Sequence, residues 1–233
     1  MKYGLFCPVA KAAELLCERW TLLILRELLH GTSKYSELQR GLSRISPTLL
    51  SKRLRELEQA ELLYRQRIAG GKGYEYFLTE SGRAVGPLVV MLGHWGLHWY
   101  RSQITDDELD PELLLWDIQR RLDDSYFPGG RAVLKFQFND VPAYPNWWLM
   151  ANGAERDLCH ADPGRDVNVY FSGSARTLIE VWGGALPLED ARNNRNFKIV
   201  GDRQLVETLP RWFLLSSLAT TPSALRPHTA ITQ

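Results

Sequence analysis

SELQRGLSRISPTLLSKRLRELEQAELLYRQRIAGGKGYEYFL, running from Ser36 to Leu78, decides the fold of the first half of the chain. Ser36-Glu37-Leu38-Gln39 has the spacing of a capping box, which predicts a short helix opening there and ending near Gly41. Ser46-Pro47 places an N-cap serine before a first-turn proline, so a second helix runs from there to about Ala60. The period then changes from helical to alternating. Residues 62–68 and 74–78 read as two strands, and Ala69-Gly70-Gly71-Lys72-Gly73 is glycine-rich enough to join them as a hairpin loop. Helix, turn (Leu42-Ser43-Arg44-Ile45), helix and hairpin together predict a winged helix-turn-helix.

Upstream, Pro8 suits a first helical turn, and Val9, Ala12, Ala13, Leu16 and Trp20 recur at three- and four-residue spacing. A further helix over about 20–30 stops at Gly31. Downstream, Thr79 caps a long helix to about Arg101, with Val85, Leu88, Val89, Leu92, Trp95 and Trp99 on roughly one face. Residues 103–110 are polar and acidic and read as a linker. Asp110-Pro111 opens another helix, with Leu113, Leu114, Trp116, Ile118 and Leu122. After Pro128-Gly129-Gly130, Leu134, Phe136 and Phe138 alternate with Lys135 and Gln137, the mark of a half-buried strand. Further strands are predicted at 147–150, 155–159, 167–171 and 197–200, and helices at 175–182, 188–195 and 203–214. The fold class is therefore α+β. A mostly helical winged helix-turn-helix domain spans 1–102, a linker 103–110, a second α+β domain 111–219, and a frayed tail 220–233.

Charge is divided unevenly between the halves. The net charge of 233 residues is +1, but residues 1–104 hold 15 Lys and Arg against 9 Asp and Glu, leaving the remainder acidic. Such a split suits a polyanion-binding front. No apolar run approaches the roughly 18 residues of a membrane span, and the N-terminus lacks a basic segment followed by an apolar core. A cytoplasmic protein with no membrane partner is expected. Three cysteines (Cys7, Cys17, Cys159), none in a C-x-x-C pair, argue against a disulfide framework and a zinc site. His94 and His98 stand four apart, but Trp95 occupies the place where a metalloprotease carries Glu, so packing is expected and no metal. Gly70-Gly71-Lys72-Gly73 lacks the spacing of a phosphate-binding loop. No nucleophile elbow or dinucleotide fingerprint appears, so neither an enzyme nor a cofactor is expected.

Reading a DNA major groove takes a helix with one apolar face for its own domain and one polar face for bases and phosphates. The helix after Ser46 has both. Leu50, Leu54 and Leu57 form the inward row, while Thr48, Ser51, Lys52, Arg55 and Gln59 form the opposite stripe. Its first turn, from Ser46, can present backbone N–H groups to a phosphate. Arg44 in the turn, and Arg65, Arg67 and Lys72 at the hairpin, are backbone candidates. The candidate DNA-binding set is Arg44, Ser46, Thr48, Ser51, Lys52, Arg55, Arg67 and Lys72.

Residues 7–101 resemble the HxlR family of bacterial winged-helix regulators. The resemblance rests on Cys7-Pro8-Val9, Glu18-Arg19-Trp20-Thr21-Leu22-Leu23-Ile24-Leu25-Arg26-Glu27-Leu28 and Tyr35-Ser36-Glu37-Leu38. It continues through Ile45-Ser46-Pro47-Thr48-Leu49-Leu50-Ser51-Lys52-Arg53-Leu54-Arg55-Glu56-Leu57 and Tyr74-Glu75-Tyr76-Phe77-Leu78-Thr79. It implies a homodimer on an inverted-repeat double-stranded DNA operator, with dimer contacts from residues 5–16 and 88–100. The Trp95 and Trp99 stripe suits such an interface and would equally suit ordinary core. The resemblance also makes Cys7 a redox candidate. Residues 111–219 resemble the sterol carrier protein type 2-like fold in element order: an amphipathic helix, a curved, mostly antiparallel sheet, then helices closing over it. That implies an apolar small-molecule effector, with Phe136, Phe138, Trp148, Phe171 and Trp182 as lining residues. The leading expectation is a dimeric DNA-binding transcription regulator modulated by that ligand. The alternative is a lipid or small-molecule carrier whose winged helix serves dimerisation or protein binding.

Overall fold

The computed structural model describes residues 3–153, 155–193 and 196–222. By contact the chain divides into two compact units, Met1–Gly93 and His94–Gln233, with the boundary upstream of the acidic 103–110 segment. The first unit holds α1 (Pro8–Leu16), α2 (Thr21–Leu29), α3 (Tyr35–Gly41), α4 (Pro47–Gln59), the antiparallel hairpin β1 (Leu63–Arg67) and β2 (Tyr74–Leu78), and α5 (Glu80–Ala84). Helix α6 (Gly86–Tyr100) carries the boundary.

Two starting points differ from the sequence expectation. Ser36 does not cap α3. Lys34 is held extended by a β-bridge to Glu75, and the Tyr76 amide donates to the Ser33 carbonyl at 2.8 Å. The extended backbone thus reaches Lys34, the helix begins at Tyr35, and Ser36 falls inside its first turn. Thr79 does cap a helix, its hydroxyl accepting from the Gly82 amide at 3.1 Å, but that helix is the short α5. The expected long helix is broken at Val85 because Pro87 has no N–H to give to the Arg83 carbonyl four residues back.

Leucines and isoleucines on α2, α3, α4 and the turn between the last two meet in one core: Ile24, Leu25, Leu38, Leu42, Ile45, Leu50, Leu54 and Leu57, with Leu63 and Leu78 from the hairpin. By contrast, no residue of α6 is buried. Leu88, Met91, Leu92, Trp95 and Trp99 are all about half exposed or more.

The second unit begins with two 3-10 turns, Arg101–Gln103 and Asp106–Glu108, and then α7 (Pro111–Gln119), capped by Asp110 through the Leu113 amide at 3.1 Å. Its sheet contains β3 (Arg131–Phe138), β4 (Asn146–Asn152), β5 (Glu155–Cys159), β6 (Val169–Gly173) and β7 (Lys198–Gly201), in the order β5-β4-β3-β6-β7. The β3–β6 pair is parallel and the other three are antiparallel. One face is covered by helices: α7, α8 (Ala175–Trp182), α9 (Leu188–Asn193), α10 (Arg203–Glu207) and α11 (Leu209–Trp212) pack their apolar residues on Leu134, Phe136, Trp147, Leu149 and Phe171. A single helix over 203–214 is not formed. Pro210 cannot donate to the Val206 carbonyl, so α10 ends at Glu207 and α11 restarts at Leu209. The Trp212 indole N–H closes the break by donating to the Leu205 carbonyl at 2.9 Å.

Residues 221 and 222, the first described part of the expected tail beyond Thr220, are bonded to α6. His94 Nδ1 meets Thr221 Oγ1 at 2.6 Å, and His98 Nδ1 donates to the Pro222 carbonyl at 2.6 Å. The two histidines of α6 thus fasten residues 221 and 222 to the helix. The rest of the expected tail, 223–233, and the end of the predicted helix at 194–195 lie outside the described residues.

Gly82 is the tightest point of the winged unit, since a Cβ there would fall onto the Leu62 carbonyl. Gly82→Ala is expected to destabilise the protein by about 1–3 kcal/mol through overpacking. Thermal or denaturant unfolding checks this, and an unchanged midpoint would show that α5 can move away from the wing without cost.

Candidate nucleic-acid interface

The recognition helix α4 is set by its own sequence at both ends of its first turn. Ser46 is extended and accepts from the Leu49 amide at 3.3 Å, and Pro47 fills the first helical position without wasting a donor. Neighbouring side chains then fix its angle to α3. The Tyr35 hydroxyl donates to the Pro47 carbonyl at 2.8 Å, Ser51 Oγ donates to the Tyr35 hydroxyl at 3.2 Å, and Gln39 Nε2 donates to the Ile45 carbonyl at 2.8 Å. Leu50, Leu54 and Leu57 are buried to within a few per cent beneath.

What remains outside is the polar stripe expected from the sequence. Thr48, Lys52, Arg55 and Gln59 are exposed along one face of α4. Lys52 is 3.8 Å from Glu56, an exposed pair of little net value that a phosphate can replace. Arg55 lies back along the helix, its Nε donating to the Ser51 carbonyl at 3.3 Å. Ser46 and Ser51 are partly committed, the first to its cap and the second to Tyr35. Arg44 is exposed in the turn.

At the wing, Gly70 and Gly73 take positive φ, and the Ile68 amide donates to the Gly73 carbonyl at 3.3 Å. Arg67, opposite Tyr74, and Lys72 at the loop are exposed and have no partner among the described residues. Arg65 is drawn off, paired with Glu58 at 3.3 Å and stacked 4.6 Å over the Tyr74 ring. Burial raises the Tyr76 phenol above its ordinary range.

Sequence reasoning missed Arg53. It lies beside Lys52 on α4 but is 9 % exposed, bonded to Glu18, Glu56 and the Arg19 carbonyl. No local pattern signals this, because its partners at the α1–α2 corner are over thirty residues away.

Other sequence candidates fall in separate places. Cys7 is exposed at the start of α1, next to the fully exposed Phe6. The aromatic set proposed as one ligand lining is split by the sheet. Phe136, Phe138, Phe171 and Trp182 belong to the helix-covered core, where Phe136 and Phe171 stack at 4.7 Å and Phe213 meets both Phe171 and Trp182. Trp148 pairs in register with Lys135 on the opposite face, with the Lys135 Nζ 4.7 Å over its ring. Adjacent residues of a strand point to opposite faces, so Trp147 takes the core position and Trp148 cannot.

A capped reading helix pinned to a shorter one, followed by a glycine-tipped hairpin, defines a helix-turn-helix protein of the winged kind. The sequence model of the HxlR-like helix-turn-helix family matches residues 15–104. Among the relatives is YvaP of Bacillus subtilis, an uncharacterised HTH-type transcriptional regulator, 33% identical over 108 residues that are 46% of this chain and 100% of that protein. The chain therefore belongs to the HxlR-like helix-turn-helix family. Rv3095 of Mycobacterium tuberculosis, another uncharacterised HTH-type transcriptional regulator, is 44% identical over 89 residues, 38% of this chain and 56% of its own length. The solved structure of the reduced transcriptional regulator YodB from B. subtilis is 33% identical, covers 40% of this chain and 93% of its own, and superposes with a TM-score of 0.36.

With a duplex on this face, Arg67→Ala and Lys72→Ala should each flatten the slope of log affinity against log salt by about 0.9 if each neutralises one phosphate. Titrations over a salt series check this. An unchanged slope would take that residue off the interface.

Proposed function

We infer that the chain is a DNA-binding transcription regulator. Helix α4 enters the major groove with Thr48, Ser51 and Arg55 towards the bases and Lys52 towards a phosphate, while Arg44, Arg67, Lys72 and the Ser46 turn hold the phosphate backbone. The observation that carries this reading is the exposed polar stripe of a helix whose other face is sealed by Leu50, Leu54 and Leu57. Family membership supports it, since the relatives are named as HTH-type transcriptional regulators.

The protein acts as a homodimer on an inverted repeat. Supporting this, α6 is mostly apolar and none of its residues is buried, with Leu88, Met91, Leu92 and Trp95 half exposed or more, and Leu5, Phe6 and Val9 are exposed as well. Apolar surface of this extent on one helix favours association. The second unit is a sterol-carrier-like domain that takes an apolar effector. What favours this reading is the element order: a helix, a five-stranded, mostly antiparallel sheet, and helices over one of its faces. An effector in its core has to part the Phe136–Phe171–Phe213 ring stack, so binding and a shift of α8 or α11 are one event. It alters DNA affinity only as far as it favours one state of the dimer over the other.

The direct test is selection of DNA fragments by the purified full-length protein at moderate salt. The expected product is a short inverted repeat, and recovery of no preferred sequence would favour the carrier reading. On the recovered repeat, Arg55→Ala should cost about 1–3 kcal/mol if Arg55 reads a base; undiminished affinity removes it from the reading set. Leu92→Glu on α6 should turn a dimer into a monomer by sedimentation, and a persisting dimer would place the interface elsewhere.

A further inference from the structure

Arg53 stands on the recognition helix between Lys52 and Arg55, yet it gives nothing to that helix's open face. Its guanidinium serves three acceptors: Nε donates to the Arg19 carbonyl at 3.0 Å, Nη2 to Glu18 at 2.9 Å, and Nη1 to Glu56 at 2.6 Å. The first two belong to the corner between α1 and α2. A buried cation is tolerable there because two carboxylates and a carbonyl oxygen surround it. The planar fork of arginine meets three acceptors in different directions, which the single ammonium of lysine does not.

The corner itself is unusual. Trp20, the N-cap of α2, has φ 78, in the left-handed region that a bulky L-residue avoids. That torsion turns about the bond following the Arg19–Trp20 peptide, so it decides which way the plane of that peptide faces. The oxygen of that plane is the Arg19 carbonyl, the one that Arg53 holds. In a right-handed corner it would swing off the guanidinium. The Trp20 carbonyl in turn accepts the first α2 bond, from the Ile24 amide at 2.9 Å.

We propose that Arg53 holds the α1–α2 corner in its left-handed state and, through it, fixes where α4 stands on its domain. Arg53 is thus a positioning residue for DNA recognition that touches no DNA. The proposal rests on the DNA-binding reading above. It has a mechanical consequence: a displacement of α1 pulls on Glu18, and through Arg53 on the helix that enters the groove.

The test uses full-length wild type, Arg53→Lys, Glu18→Gln and, for comparison, Lys52→Ala, on a short duplex carrying the selected repeat. Titrations over a salt series are run below the melting temperature of every variant, with amide hydrogen exchange on the same samples. Arg53→Lys and Glu18→Gln should each lose affinity about tenfold, in the range of couplings carried by non-contacting residues, with the salt slope unchanged. Lys52→Ala should instead flatten the slope by about 0.9. Exchange should quicken together at residues 21–24 and 49–54 in both clamp variants. Wild-type affinity in both would overturn the proposal. So would a slope that falls with affinity, which makes Arg53 a phosphate contact, or faster exchange in α4 alone. If Arg53→Lys does not fold, Glu18→Gln, which keeps the side-chain shape, decides. If the wild type binds no duplex, the DNA-binding reading fails on its own, and the exchange data still judge the clamp.

Discussion

The packing of Leu50, Leu54 and Leu57 against Leu38, Leu42, Ile45 and Ile24 is the constraint from which the winged unit follows. Each leucine buried to this degree contributes about 1.5–3 kcal/mol, so the apolar row outweighs any surface preference of α4 and settles which side of it faces in. Once that side is sealed, Thr48, Lys52, Arg55 and Gln59 have nowhere to go but outward. The polar ties from Tyr35 and Gln39 then fix the angle between α3 and α4. Hydrophobic burial is not directional, whereas these hydrogen bonds are, and the geometry of a reading helix needs both.

The second unit obeys a different period. One face of its sheet carries the helix-covered core, and strand alternation sorts every residue to one side or the other. The result is a core dense in aromatic rings, with stacked and edge-on pairs joining Phe136, Phe171, Phe213, Trp182, Trp212 and Phe127. A ring-filled space of this kind is close-packed and accepts further atoms only by rearranging.

Most secondary structure was legible in the chain. Ser46-Pro47, Asp110-Pro111 and the alternation in β3 each carry their signal within a few residues, and the structure places the elements there. The errors have local physical causes. Pro87 and Pro210 each broke a helix that apolar periodicity had joined, since periodicity records side chains and says nothing of a missing N–H. At Ser36 a capping pattern lost to the β-bridge from Lys34, a contact made with the far side of the domain. His94 and His98, read as packing, instead fasten residues 221 and 222.

The outward stripe of the candidate site was readable as a stripe, because helical spacing alone separates Thr48 and Lys52 from Leu50 and Leu54. The cap at Ser46 was readable too, but the tie of Ser51 to Tyr35 was not, and Arg53 was indistinguishable from its neighbours Lys52 and Arg55. The sequence by itself determined element types, helix starts, the face each apolar row would bury, and membership of a helix-turn-helix class. Only the tertiary structure decided which basic residue is inside, which aromatic lies on which face of the sheet, and that no residue of the apolar α6 is buried. The reason is range. Caps and periods act within one or two turns of chain, whereas the fate of Arg53 is set by Glu18 and Arg19, brought beside it only when α1, α2 and α4 close on their common core.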